Sequence, residues 1–235
     1  LADLKSAPAN TIVVLHACCH NPTGVDPTAE QWRQIADVVK ANGLVPFLDI
    51  AYQGFGDGLQ EDASVVRMFA DLDVTMLISS SFSKSFSLYG ERVGALTVVA
   101  GDKEEAGRVL SQLKRTIRTN YSNPPTHGGT LVSTILNDAG LFAEWDRELA
   151  GMRDRIRLMR KQLVDKIKEH GATQDFSFVL KQRGMFSYSG LTSQQVDRLR
   201  EEHGVYAIST GRICVAALNS RNIDVVAKAI AAVLK

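Results

Sequence analysis

Hydrophobic and polar positions change their spacing repeatedly along the first hundred residues. Four short apolar runs, rich in β-branched residues, predict strands at 11–15, 44–49, 76–78 and 95–99. Between the first two runs, apolar residues recur at helical spacing, namely Trp32, Ile35, Ala36 and Val39. We expect Asp26 to cap this helix, Pro27 to occupy its first position and Asn42-Gly43 to end it. The order strand, helix, strand predicts a parallel sheet covered by helices.

Pro46 lies inside the second predicted strand, where a proline normally argues against a strand because it cannot donate to the ladder. The run ends in Asp49, a lone acid after apolar residues, at the position where open α/β sheets place functional groups. We therefore keep the strand prediction.

The remaining pattern is increasingly helical. A helix is predicted over 102–118, with Asp102 as its cap and Glu105 completing a capping box, followed by an irregular loop over 120–125. One long, highly charged helix is predicted from about 141 to 170. Residues 172–235 favour strand, strand, helix, strand, strand, helix, with Thr192 and Gln195 as a capping box and a final amphipathic helix over 223–234. We predict three parts: 1–140, part of a large sheet domain; 141–171, an interdomain helix; and 172–235, a small α+β domain.

Composition narrows the class of protein. The chain has 235 residues, 45% of them hydrophobic, and its 27 basic and 26 acidic residues give a net charge of +1. Neither a nucleic-acid partner nor a membrane surface is indicated by this balance, and no apolar run approaches the roughly 20 residues of a membrane helix. Three cysteines, two of them adjacent, are a poor disulfide framework and predict a reducing, cytoplasmic location.

A metal site at Cys18-Cys19-His20 is conceivable but is not predicted. Adjacent side chains in a strand point to opposite faces, and no second pair of ligands follows at zinc spacing.

Polar clusters follow the predicted strands, where open α/β sheets bind ligands. They contain His20-Asn21-Pro22-Thr23-Gly24, Asp49-Ile50-Ala51-Tyr52, Ser81-Phe82-Ser83-Lys84 and Arg92. Together with "HACCHNPTG", "FLDIAYQGFGDG", "SFSKSFSLYGERVG", "NYSNPP", "GMFSYSGL" and "GRICVA", in that order and spacing, they make the whole chain resemble the class I aspartate and aromatic aminotransferases, enzymes of fold type I that depend on pyridoxal phosphate (PLP). The sequences of these motifs resemble the bacterial aromatic-amino-acid aminotransferases slightly more than the aspartate aminotransferases.

This resemblance implies an α/β protein with the fold-type I PLP-transferase architecture. We expect a mainly parallel, incomplete sheet of the large domain and a smaller C-terminal α+β domain. The implied activity is transamination between an aromatic or acidic L-amino acid and a 2-oxo acid such as 2-oxoglutarate, in a homodimer with shared active sites. The chain opens at Leu1 and lacks the family's phosphate loop, ring-stacking aromatic residue and partner-donated tyrosine, so a missing N-terminal part is expected.

The resemblance assigns four residues to the cofactor's reactive end. Lys84 would hold PLP as an imine and then move the proton between the substrate Cα and the cofactor C4′, for which its amine must be neutral near pH 7. Asp49 would keep the pyridine nitrogen protonated. Tyr52 and Asn21 would bond the 3′-oxygen, and the Asn21-Pro22 bond is expected to be cis. The alternatives are a surface lysine, an acid that caps a helix or turn, and a plain turn asparagine.

Other residues would bind the phosphate and the substrate. Arg92 and Ser81 match phosphate ligands, and Arg212 matches the arginine that clamps the α-carboxylate. Arg118 matches one that reaches across the dimer to a distal carboxylate, although either Arg212 or Arg118 alone could be a surface ion-pair residue. Phe186 would line the substrate pocket or pack in the core, and Asn21 would also contact substrate. Tyr121 would belong to the partner's site, and four residues are expected to pack behind the site: His16, His20, Cys18 and Cys19.

Two alternative interpretations of the function are compared with the aminotransferase hypothesis. Ser81 and Lys84 also satisfy the S-x-x-K motif of serine β-lactamases, but the S-D-N and K-T-G motifs that those enzymes need are absent. A domain kept for regulation or assembly, without catalysis, is the other alternative.

Overall fold

The computed structural model describes residues 1–235, which divide into two compact units. Unit 1 comprises Leu1–Cys18, Pro27–Gly54 and Gly58–Glu148, and unit 2 comprises Cys19–Asp26, Phe55–Asp57 and Leu149–Lys235. The three-part division at residues 140 and 171 stays a prediction. No helix of the structure combines the length and the apolar character that crossing a membrane requires.

Unit 1 is built on a four-stranded sheet. Its strands are β1 (Ile12–His16), β2 (Val45–Ile50), β3 (Met76–Ser81) and β4 (Gly94–Val99), which lie in that order. β1, β2 and β3 are parallel, whereas β4 runs antiparallel to β3. The predicted mainly parallel α/β sheet is therefore confirmed, with one antiparallel edge strand.

Seven helices surround or follow these strands. They are α1 (Ala2–Ser6), α2 (Ala29–Ala41), α3 (Leu59–Asp62), α4 (Ser64–Ala70), α5 (Lys103–Tyr121), α6 (Thr126–Asn137) and α7 (Ala139–Glu169). α2 buries Trp32, Ala36 and Val39, as its apolar spacing predicts, and Trp32 meets the ring of Phe69 edge-on at 6.3 Å between centroids. α7 begins in unit 1, and its residues from Leu149 onward belong to unit 2.

The start of α2 differs from the prediction. Its cap is Thr28, whose hydroxyl accepts the Gln31 backbone N–H at 3.2 Å while the Gln31 side chain accepts the Thr28 N–H at 2.9 Å. This reciprocal pair satisfies two helix-end donors at once. Asp26 instead accepts the backbone N–H groups of Cys19 and His20, at 2.8 and 2.9 Å, and so orders the loop after β1.

β2 accommodates Pro46 because of where its neighbours begin. β2 pairs with β1 from Val45, but its pairing with β3 begins only at Phe47. The Val45 N–H donates to Thr11 on the β1 side, so an amide at Pro46 would point to the side where β3 is not yet paired. The missing donor therefore breaks no ladder bond.

α5 confirms Asp102 as a cap but extends further than predicted. The Asp102 carboxylate accepts the Glu105 N–H at 2.7 Å, whereas the Glu105 carboxylate accepts the Gly101 N–H, so the predicted capping box is incomplete. The helix ends at Tyr121, which shortens the predicted loop at its start. α5 buries none of its side chains within the chain.

Unit 2 has fewer strands than the sequence predicts. β5 (Phe186–Tyr188) and β6 (Arg212–Cys214) form a two-stranded antiparallel sheet, joined by α8 (Ser193–His203) and followed by α9 (Ile223–Val233). The prediction of four strands is wrong: residues 172–235 contain two, and Ser177–Lys181 and Val215–Ala217 form 3₁₀ helices. The Asp175 carboxylate accepts both the N–H and the hydroxyl of Ser177 at 2.8 Å, which starts a turn instead of a strand. The Thr192–Gln195 capping box and the final helix are confirmed.

Candidate functional site

Asp49 lies at the carboxyl end of β2, between two polar residues on the neighbouring strands. The sheet register places His16 opposite Asp49 on β1 and Ser79 opposite it on β3. The Ser79 hydroxyl donates to Asp49 Oδ1 at 3.0 Å, and His16 Nε2 lies 3.7 Å from Oδ2. The Asp49 side chain remains 37% exposed. Two neighbours therefore orient a carboxylate that still has free acceptor capacity, which a plain turn-capping acid would not need.

Lys84 is held against aromatic rings. It follows β3 and is half-buried, between the buried Ser83 and Ser85. Its Nζ lies 4.8 Å from the centroid of the Tyr52 ring and 6.0 Å from that of Tyr89. Tyr52 is 5% exposed and stands three residues after Asp49. Unit 1 thus brings together the predicted lysine and tyrosine, in contacts that an ordinary solvated lysine lacks.

The two predicted phosphate ligands lie on either side of Lys84 in the sequence, Ser81 as the last residue of β3 and Arg92 in the loop before β4, and their side-chain hydrogen bonds go to other residues. Ser81 Oγ accepts the Ser83 N–H at 3.3 Å. Arg92 follows a 3₁₀ helix over Tyr89–Glu91, has a left-handed backbone with φ of 52°, and donates to the Tyr89 carbonyl at 3.2 Å. The guanidinium is otherwise exposed, so it has donors left for an anion.

Unit 2 brings three other predicted residues together. Arg212 opens β6 and is half-buried, with its Cζ 4.7 Å from the centroid of the Phe186 ring on β5. Its Nη1 donates to Asn21 Oδ1 at 2.9 Å, across 191 positions of sequence. The Asn21-Pro22 bond is cis, as the resemblance implies. The remaining guanidinium donors of Arg212 have no acceptor in the chain, an arrangement that suits a carboxylate ligand.

Arg118 is not brought to any of these groups. It lies in the last turn of α5, its side chain is exposed, and it forms no ion pair within the chain. Tyr121, on the same helix, is 52% exposed. The predicted role of Arg118 across a dimer stays a prediction, as do the roles assigned to the other site residues.

The sequence interpretation missed Ser79 and the contact of His16 with Asp49. Each residue directly follows a predicted strand, 11–15 for His16 and 76–78 for Ser79, and both are paired with Asp49 in the sheet register, so comparing the ends of the predicted strands could have grouped them. Cys18 and Cys19 are buried, and His20 Nδ1 pairs with the Thr23 hydroxyl at 2.7 Å, but a place behind the site stays a prediction for these residues.

Comparisons with known proteins agree with these features. The family model described as aminotransferase class I and II matches residues 1–230. The chain is 63% identical to the aspartate aminotransferase of Pseudomonas aeruginosa and 56% identical to the aromatic-amino-acid aminotransferase of Escherichia coli, over 234 residues in each case. It spans all of its own length but 59% of theirs. A crystal structure of the aromatic-amino-acid aminotransferase from Burkholderia pseudomallei, covalently bound to pyridoxal phosphate, superposes with a TM-score of 0.98 at 67% identity, again covering 100% of this chain and 59% of that one.

Proposed function

Because this chain belongs to the class I and II aminotransferase family, we propose that the protein transfers an amino group between an L-amino acid and a 2-oxo acid with pyridoxal phosphate as cofactor. The observation that carries the proposal is the contact of the Lys84 amine with the Tyr52 ring beside the end of β2. The amino acid is aromatic or acidic, since relatives of both names are more than 50% identical to the chain. The 2-oxo acid is of the 2-oxoglutarate type.

The side chains of unit 1 fit this cofactor by their chemistry. When bound, pyridoxal phosphate supplies an electron sink for negative charge at the substrate Cα. Asp49, oriented by Ser79 and His16, offers a carboxylate that keeps a ring nitrogen protonated. Lys84 offers the amine for a covalent link and, once released, moves the proton at Cα. Tyr52 stands beside it to hydrogen-bond the ring oxygen, and Arg92 and Ser81 offer donors for the phosphate.

The residues of unit 2 fit the recognition of a carboxylate. Arg212 has a planar fork of donors, and the bond to Asn21 and the contact with Phe186 fix its direction. We assign the substrate α-carboxylate to Arg212, the side-chain pocket to Phe186, and a shared role with cofactor and substrate to Asn21.

The proposal extends to a homodimer in the cytoplasm. α5 carries Arg118 and buries no side chain within the chain, which suits a helix covered by a second copy. In that assembly Arg118 would bind the distal carboxylate of an acidic substrate in the partner's site. Three cysteines that form no disulfide suit a reducing compartment. Light scattering of the complete protein should give twice the mass of one chain.

The function is tested with the complete protein and two lysine variants. Wild type should show the pH-sensitive visible absorbance of a lysine-bound cofactor and should convert 2-oxoglutarate with aspartate or phenylalanine as donor. Lys84→Ala should abolish both signals, whereas Lys40→Ala, at an exposed position of α2, should keep both. Retention of both by Lys84→Ala would overturn the assignment. A protein kept for regulation alone would show no turnover in the wild type.

A further inference from the structure

Arg160 of α7 is an interior arginine that has no carboxylate partner. It is 2% exposed, and every acceptor that it reaches is a neutral oxygen. Burial lowers the pKa of Arg160 to about 10, although the neighbouring Cys19 partly opposes this shift. The side chain is therefore charged at neutral pH in surroundings that disfavour charge. Packing alone does not explain a buried charge, because a methionine of similar volume would pack as well without the cost of burying the charge. The hydrogen bonds of Arg160 must therefore explain its presence.

Both terminal nitrogens of Arg160 donate to one stretch of chain around β5. Nη1 donates to the carbonyl of Val179 at 3.4 Å and to the hydroxyl of Ser187. Nη2 donates to the carbonyls of Gly184 at 2.6 Å and Phe186 at 2.7 Å. A planar fork fixes the direction of its acceptors as well as their distance. Arg160 thus fixes the backbone at Phe186 from both sides of that residue.

The loop that carries Asn21 is packed against the same stretch. The Arg183 N–H donates to the Gly24 carbonyl at 2.6 Å, and the Tyr188 N–H donates to the Thr23 carbonyl at 3.3 Å. A Cβ added at Gly24, where φ is +69°, would lie 2.6 Å from the Phe186 carbonyl oxygen. The backbones therefore meet with no room for a side chain, and a shift of β5 must move the loop as well.

The three links form a chain from Arg160 to the carboxylate-binding group. Arg160 holds the Phe186 carbonyl, the Phe186 ring lies 4.7 Å from Arg212 Cζ, and Arg212 donates to Asn21. We propose that Arg160 is a positioning residue, which holds Phe186, and through it Arg212 and Asn21, in the geometry that binds the substrate carboxylate. This inference rests on the proposed function, because it assigns Arg160 to that reaction.

The test measures the binding of succinate, a dicarboxylate without an amino group, to the complete PLP-loaded protein by calorimetry. Arg160→Met removes the fork and should raise the succinate Kd about 10- to 100-fold, the order of loss expected if Arg212 loses one charge-assisted bond to the carboxylate. The visible absorbance of the lysine-bound cofactor should stay unchanged, since the four hydrogen bonds of Arg160 all go to Val179, Gly184, Phe186 and Ser187. Arg160→Lys keeps the charge but not the fork, and its Kd should be raised to a similar extent.

Arg155→Met is the matched control. Arg155 lies on the same helix and also clamps backbone carbonyls, those of Leu218 at 2.8 Å and Ala216 at 2.7 Å, but it does not touch Phe186. It should lower the melting temperature and leave the succinate Kd within about twofold. Equal weakening by Arg155→Met and Arg160→Met would mean general loosening of the fold and would overturn the proposal. A wild-type Kd in Arg160→Lys would also overturn it, because charge alone would then suffice.

Ser187→Ala keeps the proposal testable if Arg160→Met does not fold. It removes one of the four acceptors and should raise the succinate Kd several-fold, at an unchanged absorbance spectrum. An unchanged Kd would count against the positioning role. Transamination by the wild type is measured in parallel: no turnover refutes the proposed function and the role with it, whereas normal turnover with unaltered Kd values in the variants refutes the positioning role alone.

Discussion

Arg212→Lys separates a planar carboxylate clamp from a simple positive charge. The arginine has one hydrogen bond within the chain, to Asn21 Oδ1 at 2.9 Å, and its Cζ lies 4.7 Å from the Phe186 ring centroid. Lysine keeps the charge, but it has a single flexible ammonium that cannot both bond Asn21 and present two parallel N–H groups to a carboxylate. We therefore expect one charge-assisted bond to the substrate to be lost.

The expected fall in kcat/KM follows from the loss of this one hydrogen bond. A hydrogen bond to a charged group contributes about 1.5–3 kcal/mol, and each 1.4 kcal/mol is roughly a factor of ten. kcat/KM should therefore fall about 10- to 150-fold. The weaker contact of an ammonium with the Phe186 ring changes the estimate by about 0.5–1 kcal/mol at most.

The assay is steady-state transamination with 2-oxoglutarate, using aspartate and phenylalanine as donors in separate series. Because both donors have an α-carboxylate, both values of kcat/KM should fall by the same factor. Arg200→Lys is the control, since Arg200 is exposed on α8 and pairs only with Asp197 and Glu201. Unchanged kcat/KM for Arg212→Lys refutes the clamp. A loss confined to aspartate would place Arg212 at the distal carboxylate instead.

Three further outcomes are expected. Asp49→Asn should retain the cofactor but turn over more slowly by orders of magnitude, and near wild-type turnover at saturating pyridoxal phosphate would contradict the role of Asp49. Arg118→Leu should lower kcat/KM for aspartate far more than for phenylalanine, by a bond of about 1.5–3 kcal/mol, and equal losses would remove Arg118 from the side-chain pocket. Hydrogen bonds from Lys166 and His170 lower the pKa of Asp224 below its ordinary value of about 3.9. The ionised Asp224 therefore stabilises the fold fully above a pH of about 3.9, and this stabilisation is lost as the pH falls through the lower pKa of the folded state. Melting temperatures of Asp224→Asn and wild type should therefore converge as the pH is lowered from 5 to 3, and parallel profiles would contradict this.

Local sequence patterns were sufficient to predict the sheet of unit 1 and the functional residues near the ends of its strands. The strands of unit 1 were predicted from short apolar runs rich in β-branched residues, and α2 from apolar residues at helical spacing, both of which are local features of the sequence. Asp49 could be located because it is a lone acid at the end of an apolar run, and Lys84 because it lies in a polar cluster that follows the next predicted strand. The fold-family resemblance supplied the rest of the proposed site.

Features that depend on tertiary contacts or on competing local bonds could not be predicted. The contacts of His16 and Ser79 with Asp49 require the register of three strands, which no single strand contains. α6 includes Gly128 and Gly129, which disfavour a helix by about 1 kcal/mol each, so local propensity argued against an element that exists. At the start of α2, the prediction of Asp26 as the cap was wrong because the Asp26 carboxylate accepts two N–H groups of the preceding loop, and Thr28 caps the helix instead.

Counting the N–H donors that are bonded within the chain distinguishes an arginine that positions the backbone from one that can bind a ligand. Arg160 is buried and its two terminal nitrogens donate to four acceptors within the chain, which occupies the fork that a carboxylate would need. Arg212 is half-buried and gives one bond to Asn21, so most of its donors would be left without partners when water is excluded. A partly buried group with unused donors is stable only if a ligand or water completes it, and a carboxylate matches its planar fork. The criterion does not extend to Arg118, because water satisfies the donors of an exposed side chain, and its role therefore depends on the measurement with two substrates.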